Sequence, residues 1–349
     1  MENWQTILSN SITTPDELRE YMNCDTTALE EIIANFPMRI NPYFLNLIRY
    51  PGDPIWKQAI PDSLEIRDTV CMADPLSEDN LSPVPNLVHK YPDRVLFLVT
   101  NQCAMYCRFC TRKRKVGTEK MTITDSTLED GYNYIRKNPN IREVLISGGD
   151  PLLLPDKKLE SILFNLRKIK TIEVIRIGTR VPSVLPMRIT KNLVSILKRF
   201  HPLYINTHFN HPLEITPESS RACISLADAG IPLGCQTVLL KGVNDCPETL
   251  KKLFLGLLKI RVKPYYLFQA DLTKGTDHFR TKTDVGIDIM RKLYGHISGM
   301  AIPTLALDAP GGKGKIPLFP QYLIEQKDIL TFKNYLGEIC TYPETGDTV

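Results

Sequence analysis

The sequence predicts an α/β protein: a parallel sheet closing into a full or partial barrel, with a helical region before it and a short segment after it. Three observations predict this. From Arg94 onward, short β-branched runs alternate with helical stretches, the pattern of parallel βαβ units. Six or more such units follow one another, enough to curl a sheet towards closure. Polar and glycine signatures recur just after the strand runs, where parallel α/β folds place their chemistry. An open doubly wound sheet is the structural alternative, and periodicity does not separate the two.

Taken in order, residues 1–50 read as helices. Thr14-Pro15-Asp16-Glu17 is a helix start, and Asp25 with Thr26 opens another. Residues 51–93, rich in Pro, Asp and Ser and without a sustained period, read as a wrapping connector of short pieces. Candidate strands are 94–100, 143–147, 173–178, 203–209, 232–240 and 263–269, with 300–307 as a further candidate. Helical patterns occupy 124–137, 156–169, 190–200, 216–229, 247–260 and 283–297. The chain thus divides into an N-terminal helical region and connector (1–93), a barrel (94–299) and a C-terminal segment (300–349).

The chain has 349 residues, 43% hydrophobic and 23% charged, which is ordinary for a globular protein with a sizeable core. Its net charge of +4 is spread thinly apart from Arg108–Lys115, too weak an excess to argue for nucleic acid. No apolar run is long enough to cross a bilayer, and the first residues lack a basic stretch followed by an apolar one. Nine cysteines in such a chain favour reduced thiols in a cytoplasm, with a metal or catalytic role for any cluster of them.

One cluster stands out. TNQCAMYCRFCTRKRKVG, beginning at Thr100, holds Cys103, Cys107 and Cys110 in C-x3-C-x2-C spacing. A closed structural metal site wants four protein ligands; three leave a position open for chemistry. Zinc or three incidental core thiols are the plainer readings, but the nearest downstream histidine, His201, lies in a different unit. Spacing this tight suits three corners of a [4Fe–4S] cubane. Here the sequence resembles the radical S-adenosylmethionine (SAM) superfamily, whose signature has this spacing after the first strand of a partial barrel. Phe109, just before the last cysteine, also fits. The resemblance implies a partial (βα)6-type radical SAM barrel, with SAM chelating the iron that the cysteines leave free. It also implies that Ser147, Gly148, Gly149 and Asp150 meet SAM, although Asp150 at a strand exit equally suits a turn cap.

Asp308-Ala-Pro-Gly-Gly-Lys-Gly-Lys315 reads in isolation as a surface loop with solvated lysines. It is not a phosphate-binding loop of Walker type, because Ile316 stands where Ser or Thr should follow the lysine. A lysine on a glycine-rich loop suits a Schiff-base partner for pyridoxal 5′-phosphate (PLP). With SGGDPLL, GTRVPSVLPMRIT, NTHFNHP, LLKGVNDC and PYYLFQADLTKGTDHFRT, this segment makes the chain resemble the lysine 2,3-aminomutase family over about residues 41–320. The resemblance implies that Lys315 carries PLP, although Lys313 stands where the family usually has glycine. It implies that Arg112 grips the substrate carboxylate and that Asp271 and Asp308 hold the side-chain ammonium of L-lysine. His208 and Gln236 would contact SAM, and Arg94 would help hold PLP. Lys113 to Lys115 read as a solvated basic run. Cys246 matches a family zinc ligand whose partners lie in a longer C-terminal extension; with only Cys340 at hand, no structural zinc is expected.

The implied activity is an isomerase reaction, L-lysine to β-lysine, through a SAM-derived 5′-deoxyadenosyl radical and PLP-mediated 1,2-amino migration. It calls for a reductant such as flavodoxin or ferredoxin and leaves subunit number open, a homo-oligomer included. The alternatives are a β-lysine-forming enzyme dedicated to elongation factor P, an aminomutase for another amino acid, or a non-catalytic iron–sulfur or zinc protein.

Overall fold

A computed structural model describes residues 3–22 and 29–345. The predicted helix start at Asp25 and Thr26 lies outside these residues. The start at Thr14 is present: its hydroxyl accepts from the Glu17 amide, and the Glu17 carboxylate returns a bond to the Thr14 amide at 3.0 Å.

A nine-stranded sheet runs in sequence order: β1 (Leu87–Tyr91), β2 (Arg94–Leu98), β3 (Glu143–Ser147), β4 (Val174–Gly178), β5 (Leu203–Thr207), β6 (Leu233–Leu239), β7 (Val262–Gln269), β8 (Thr304–Ala309) and β9 (Gly314–Pro317). Strands β2 to β8 are parallel, while β1 and β9 run antiparallel at the two edges. Helices Asp125–Lys137, Asp156–Arg167, Lys191–Leu197, Pro217–Asp228, Pro247–Lys259 and Thr283–Leu293 make the six crossovers. Alternate strand residues such as Val144, Ile146, Ile175, Ile177, Ile205 and Leu239 are buried with the helix residues Leu159, Leu163, Leu226, Leu253 and Ile289 in one core. Burying each such side chain contributes about 1.5–3 kcal/mol, an upper figure for a chain that is partly collapsed before it folds. The intervening strand residues are less buried.

Strand order β1 to β9 leaves the two edges without backbone pairing to each other, so the barrel is partial. Side chains bridge the seam instead. The Lys315 amide on β9 donates to the Tyr91 hydroxyl on β1 at 3.2 Å, and Lys90 on β1 lies 3.4 Å from Asp308 on β8.

Five strands are absent from the sequence-based expectation. Strand β1 pairs with β2 across the 93/94 boundary, hidden in a segment whose prolines and aspartates mask a short strand. Strand β9 and a separate antiparallel sheet of β10 (Leu323–Glu325), β11 (Ile329–Lys333) and β12 (Ile339–Pro343) also went unread. Ile324, Ile329, Ile339 and Tyr342 are all exposed in this small sheet, so no buried face stamps a period on it.

A second core, formed by Ile7, Leu18, Ile32, Ile40, Phe44 and Leu45, packs the N-terminal helices against Ala104 and Met105. Tyr106 donates its amide to the Arg39 carbonyl at 2.9 Å. The N-terminal region is therefore a wall behind the cysteine loop.

Candidate active site

The three cysteines follow β2 and line one cavity with Phe36, Tyr106 and Lys113. Burial, then the nearby Asp150, holds the Cys103 thiol well above its ordinary range. Burial and then Cys107 push Cys110 up to about 11. Cys103 and Cys110 are thereby held as neutral thiols, and a metal that binds them must displace protons. Among the described residues no three Cys, His, Asp or Glu side chains converge on a single-ion position. A cubane fits this donor set, since each corner takes its own sulfur ligand.

Charge around the loop is closely matched. Arg108 Nε donates to Glu65 Oε1 at 2.9 Å and Nη2 to Oε2 at 2.6 Å, with both side chains buried. Lys113 Nζ also reaches Glu65 Oε2 at 2.6 Å, bonds the Gly275 carbonyl at 2.9 Å and sits 4.3 Å from the centre of the Phe36 ring. Burial first, opposed by Glu65, brings its pKa down to about 8. Arg114 pairs with Asp74 and Asp79, and Lys115 with Asp79. The solvated basic run expected for Lys113 to Lys115 is thus corrected: the acids that fix it lie over 30 residues away in the connector, out of reach of a local reading.

At the β3 exit, Gly148 (φ +139°) and Gly149 serve a close backbone crossing. A Cβ on Gly148 would strike the Thr100 carbonyl oxygen, and one on Gly149 the Gln102 carbonyl oxygen. The Gly149 amide donates to Thr100 O at 2.6 Å and the Asp150 amide to Gln102 O at 2.7 Å, which sets the loop just ahead of Cys103. Asp150 accepts from Thr179 Oγ1 (2.6 Å) and from the amides of Arg180 (2.7 Å), Val181 and Leu152 (both 3.1 Å). With four donors upon it, it clamps the β3 and β4 exits together and caps the Pro151–Leu153 turn. Burial raises its pKa against those hydrogen bonds.

His208, past β5, meets Asn210 Oδ1 through Nε2 at 3.0 Å, and its ring lies 5.5 Å from that of Phe109. Burial, then the Arg180 charge, takes its pKa down to about 3, so the imidazole is neutral. Gln236 lies in β6 at a register shift: Cys235 pairs with Pro264 but Gln236 with Tyr266. Such a bulge re-aims the side chains beside it.

Across the seam from β1 stands the β8–β9 hairpin, in which Asp308 and Lys315 are direct cross-strand partners. Lys315 Nζ meets both Asp308 oxygens at 3.2 and 3.0 Å and lies 5.1 Å from the Phe268 ring centre. Lys313, in the turn, is exposed. Asp271, just past β7, has a buried Oδ1 with no hydrogen-bond partner. Burial, then Asp308, raises its pKa to about 7, while Lys315 and Lys90 pull the other way. Arg112 is held by Glu78, through Nε at 2.9 and 3.0 Å and Nη2 at 2.6 Å; its Nη1 lies 3.4 Å from Ser147 Oγ. Arg94 pairs with Asp93 at 2.7 Å and stacks 4.1 Å from the Tyr91 ring, the same tyrosine that takes the Lys315 amide.

The structure gathers Lys315, Asp308, Lys90 and Asp271 at one end of the parallel strands, and links Arg112 to Ser147 across β2 and β3. A primary amine in an anionic setting, on a glycine-bearing hairpin, fits a PLP-bearing lysine. Glu65, which holds Arg108 and Lys113, Glu78, which holds Arg112, and Gln58 and Glu214, which hold Arg180, escaped the sequence reading because their partners are distant in the chain.

The radical SAM superfamily model matches residues 97–254, and a lysine-2,3-aminomutase model matches residues 290–349. The L-lysine 2,3-aminomutase of Clostridium subterminale is 49% identical over 98% of this chain and 84% of its own. The chain belongs to the lysine 2,3-aminomutase family of radical SAM enzymes. A second family member, the L-lysine 2,3-aminomutase of Acetoanaerobium sticklandii, is 50% identical over 98% of this chain and 84% of its own. The glutamate 2,3-aminomutase of Clostridioides difficile is 44% identical over 96% and 81%. The family's isomerase chemistry employs a [4Fe–4S] cluster, SAM and PLP. Two substrates occur at similar identity, so the side chains of the site must discriminate between them.

Proposed function

We propose that this chain is an L-lysine 2,3-aminomutase, which moves the α-amino group of L-lysine to the β-carbon. The observation that carries the substrate assignment is Asp308 with an alkylammonium already upon it, that of Lys315. The same carboxylate would suit the chemically identical side-chain ammonium of a free lysine, with Lys315, the amine that would bear PLP, beside it. Asp271, with its unpartnered buried oxygen, supplies the second acceptor. Two carboxylates in a partly desolvated site favour an ammonium and repel a carboxylate by several kcal/mol.

Cys103, Cys107 and Cys110 hold the cluster; Lys315 carries PLP, with Arg94 beside Tyr91 towards its phosphate. Gln236 and the neutral His208 offer hydrogen bonds to SAM without adding charge, alongside the 147–150 turn. Arg112, held at one edge by Glu78, turns Nη1 to the substrate carboxylate. When bound, the cluster and SAM supply a radical and PLP supplies the π-system that carries it through the migration. The polypeptide fixes both ends of lysine and keeps water out of the mouth. A low-potential carrier such as flavodoxin or ferredoxin provides the electron, and the reaction takes place in the cytoplasm. Among the described residues no helix is long and apolar enough to cross a membrane.

The test is an anaerobic assay of the protein reconstituted with iron, sulfide, SAM, PLP and dithionite, offered lysine or glutamate, with products identified by mass and chirality. Conversion of lysine in preference is expected; turnover of glutamate alone overturns the assignment of Asp271 and Asp308.

A further inference from the structure

Arg180, first residue past Thr179 at the β4 exit, has no part in the scheme above, yet it touches the cysteine loop directly. Its Nη1 donates to Cys107 Sγ at 2.8 Å. Among the described residues it is the one side chain hydrogen-bonded to any of the three loop sulfurs; Cys110 Sγ is met by a backbone amide, that of Arg112 at 3.3 Å. We propose that Arg180 is a positioning residue that raises the reduction potential of the cluster through its contact with Cys107. The inference rests on the reading of the cysteine trio as a cluster site.

The geometry is that of a fixed charge. Nη2 is held by Gln58 Oε1 at 2.6 Å and by Glu214 Oε2 at 3.1 Å. The guanidinium carbon lies 5.2 Å from the Phe109 ring centre and 5.4 Å from that of Phe44. The backbone amide is pinned by Asp150. Glu214 is itself immobilised: Oε1 accepts from the amides of Asn210 and His211, each at 3.0 Å, and from Gln58 Nε2 at 3.1 Å. Gln58 also ties the network to the loop through its carbonyl, which takes the Arg108 amide at 3.0 Å. The other cations of the loop are differently engaged: Arg108 and Lys113 share Glu65, and Arg112 takes Glu78.

Reduction adds one electron to the cluster, so its net charge becomes more negative. A buried cation donating an N–H to a ligand sulfur stabilises that state more than the oxidised one. Glu214 opposes the effect by offsetting part of the Arg180 charge. A residue on the rim of the SAM-facing strands thereby sets how strong a donor is needed.

The experiment is a potentiometric titration of the anaerobically reconstituted protein, without PLP or SAM, followed by the electron paramagnetic resonance signal of the reduced cluster. Iron and sulfide are counted in each sample. Arg180→Gln is expected to shift the reduction equilibrium at least tenfold against the reduced form, about 59 mV for one electron. Glu214→Gln is expected to move it the opposite way. Full iron content with an unmoved potential in both variants overturns the proposal. Should Arg180→Gln assemble no cluster, Glu214→Gln decides: a positive shift supports the proposal and an unchanged potential overturns it. A wild-type protein that takes up no iron defeats the cluster reading itself, a different failure.

Discussion

Arg112 and Lys315 both bring a cation to the same barrel mouth, but their surroundings differ. Arg112 belongs to a wall where each cation has its carboxylate: Arg108 and Lys113 have Glu65, Arg112 has Glu78 and Arg180 has Glu214. Lys315 belongs to a wall where pairing is unfinished. Lys315 and Lys90 both go to Asp308, as Arg108 and Lys113 both go to Glu65, but here a further carboxylate, Asp271, keeps an unpartnered buried oxygen. The first wall holds its shape before any ligand arrives. The second is completed by what binds. That contrast suits a cluster loop that must stay in place and a lysine that must exchange partners.

The largest expected effect tests the unfinished wall. Lys315→Ala should abolish borohydride-fixed attachment of PLP while iron binding persists, whereas Lys313→Ala should retain attachment; the reverse result reassigns the cofactor lysine. Next comes the finished wall. Glu65→Gln leaves two buried cations without their shared carboxylate and should cost about 3–5 kcal/mol, read as a lower denaturation midpoint. A midpoint within experimental error of wild type would break the comparison. Asp271→Asn should raise KM for lysine about ten- to a hundredfold, equivalent to about 1.4–2.7 kcal/mol, without creating glutamate turnover.

The pH dependence sharpens the same point. Before lysine binds, Asp271 is protonated below about pH 7. Lysine needs the carboxylate, so binding at pH 6 should expel close to one proton and weaken about tenfold per unit as pH falls. Calorimetry in buffers of different ionisation enthalpy measures this release, and Asp271→Asn should abolish it. The smallest effect is at Glu78: Glu78→Gln loosens the grip on Arg112 and should raise KM for lysine by about threefold to tenfold with kcat little changed. A lowered KM would instead mark Glu78 as a competitor of the substrate carboxylate.

The six crossover units were legible because each strand buries alternate residues and each helix buries one stripe, and both leave periods in the sequence. Cys103, Cys107 and Cys110 were legible as one cluster because their spacing is local, and all three line one cavity. Lys113 was misread for the converse reason: its neighbours in sequence are basic, and Glu65 and Gly275 meet it only through the fold. Gly148 and Gly149 were noticed, but sequence cannot tell a glycine that makes room for a ligand from one that makes room for Thr100 and Gln102. Strand β1 left too short a pattern to rise above its prolines, and β10 to β12 lack a buried face altogether.

The cross-strand pairing of Asp308 with Lys315 has a consequence for length selection. Opposed residues in an antiparallel ladder keep their Cα atoms about 4.5–5.5 Å apart. On the proposed assignment, the amine that a substrate displaces and the carboxylate that receives its far end are mounted on one ruler. An inserted residue in the 310–313 turn that slipped the ladder by one would swing Lys315 to the opposite face. On that assignment the hairpin gauges how many methylenes separate the two amino groups of a diamine acid, as well as which charge the far end bears.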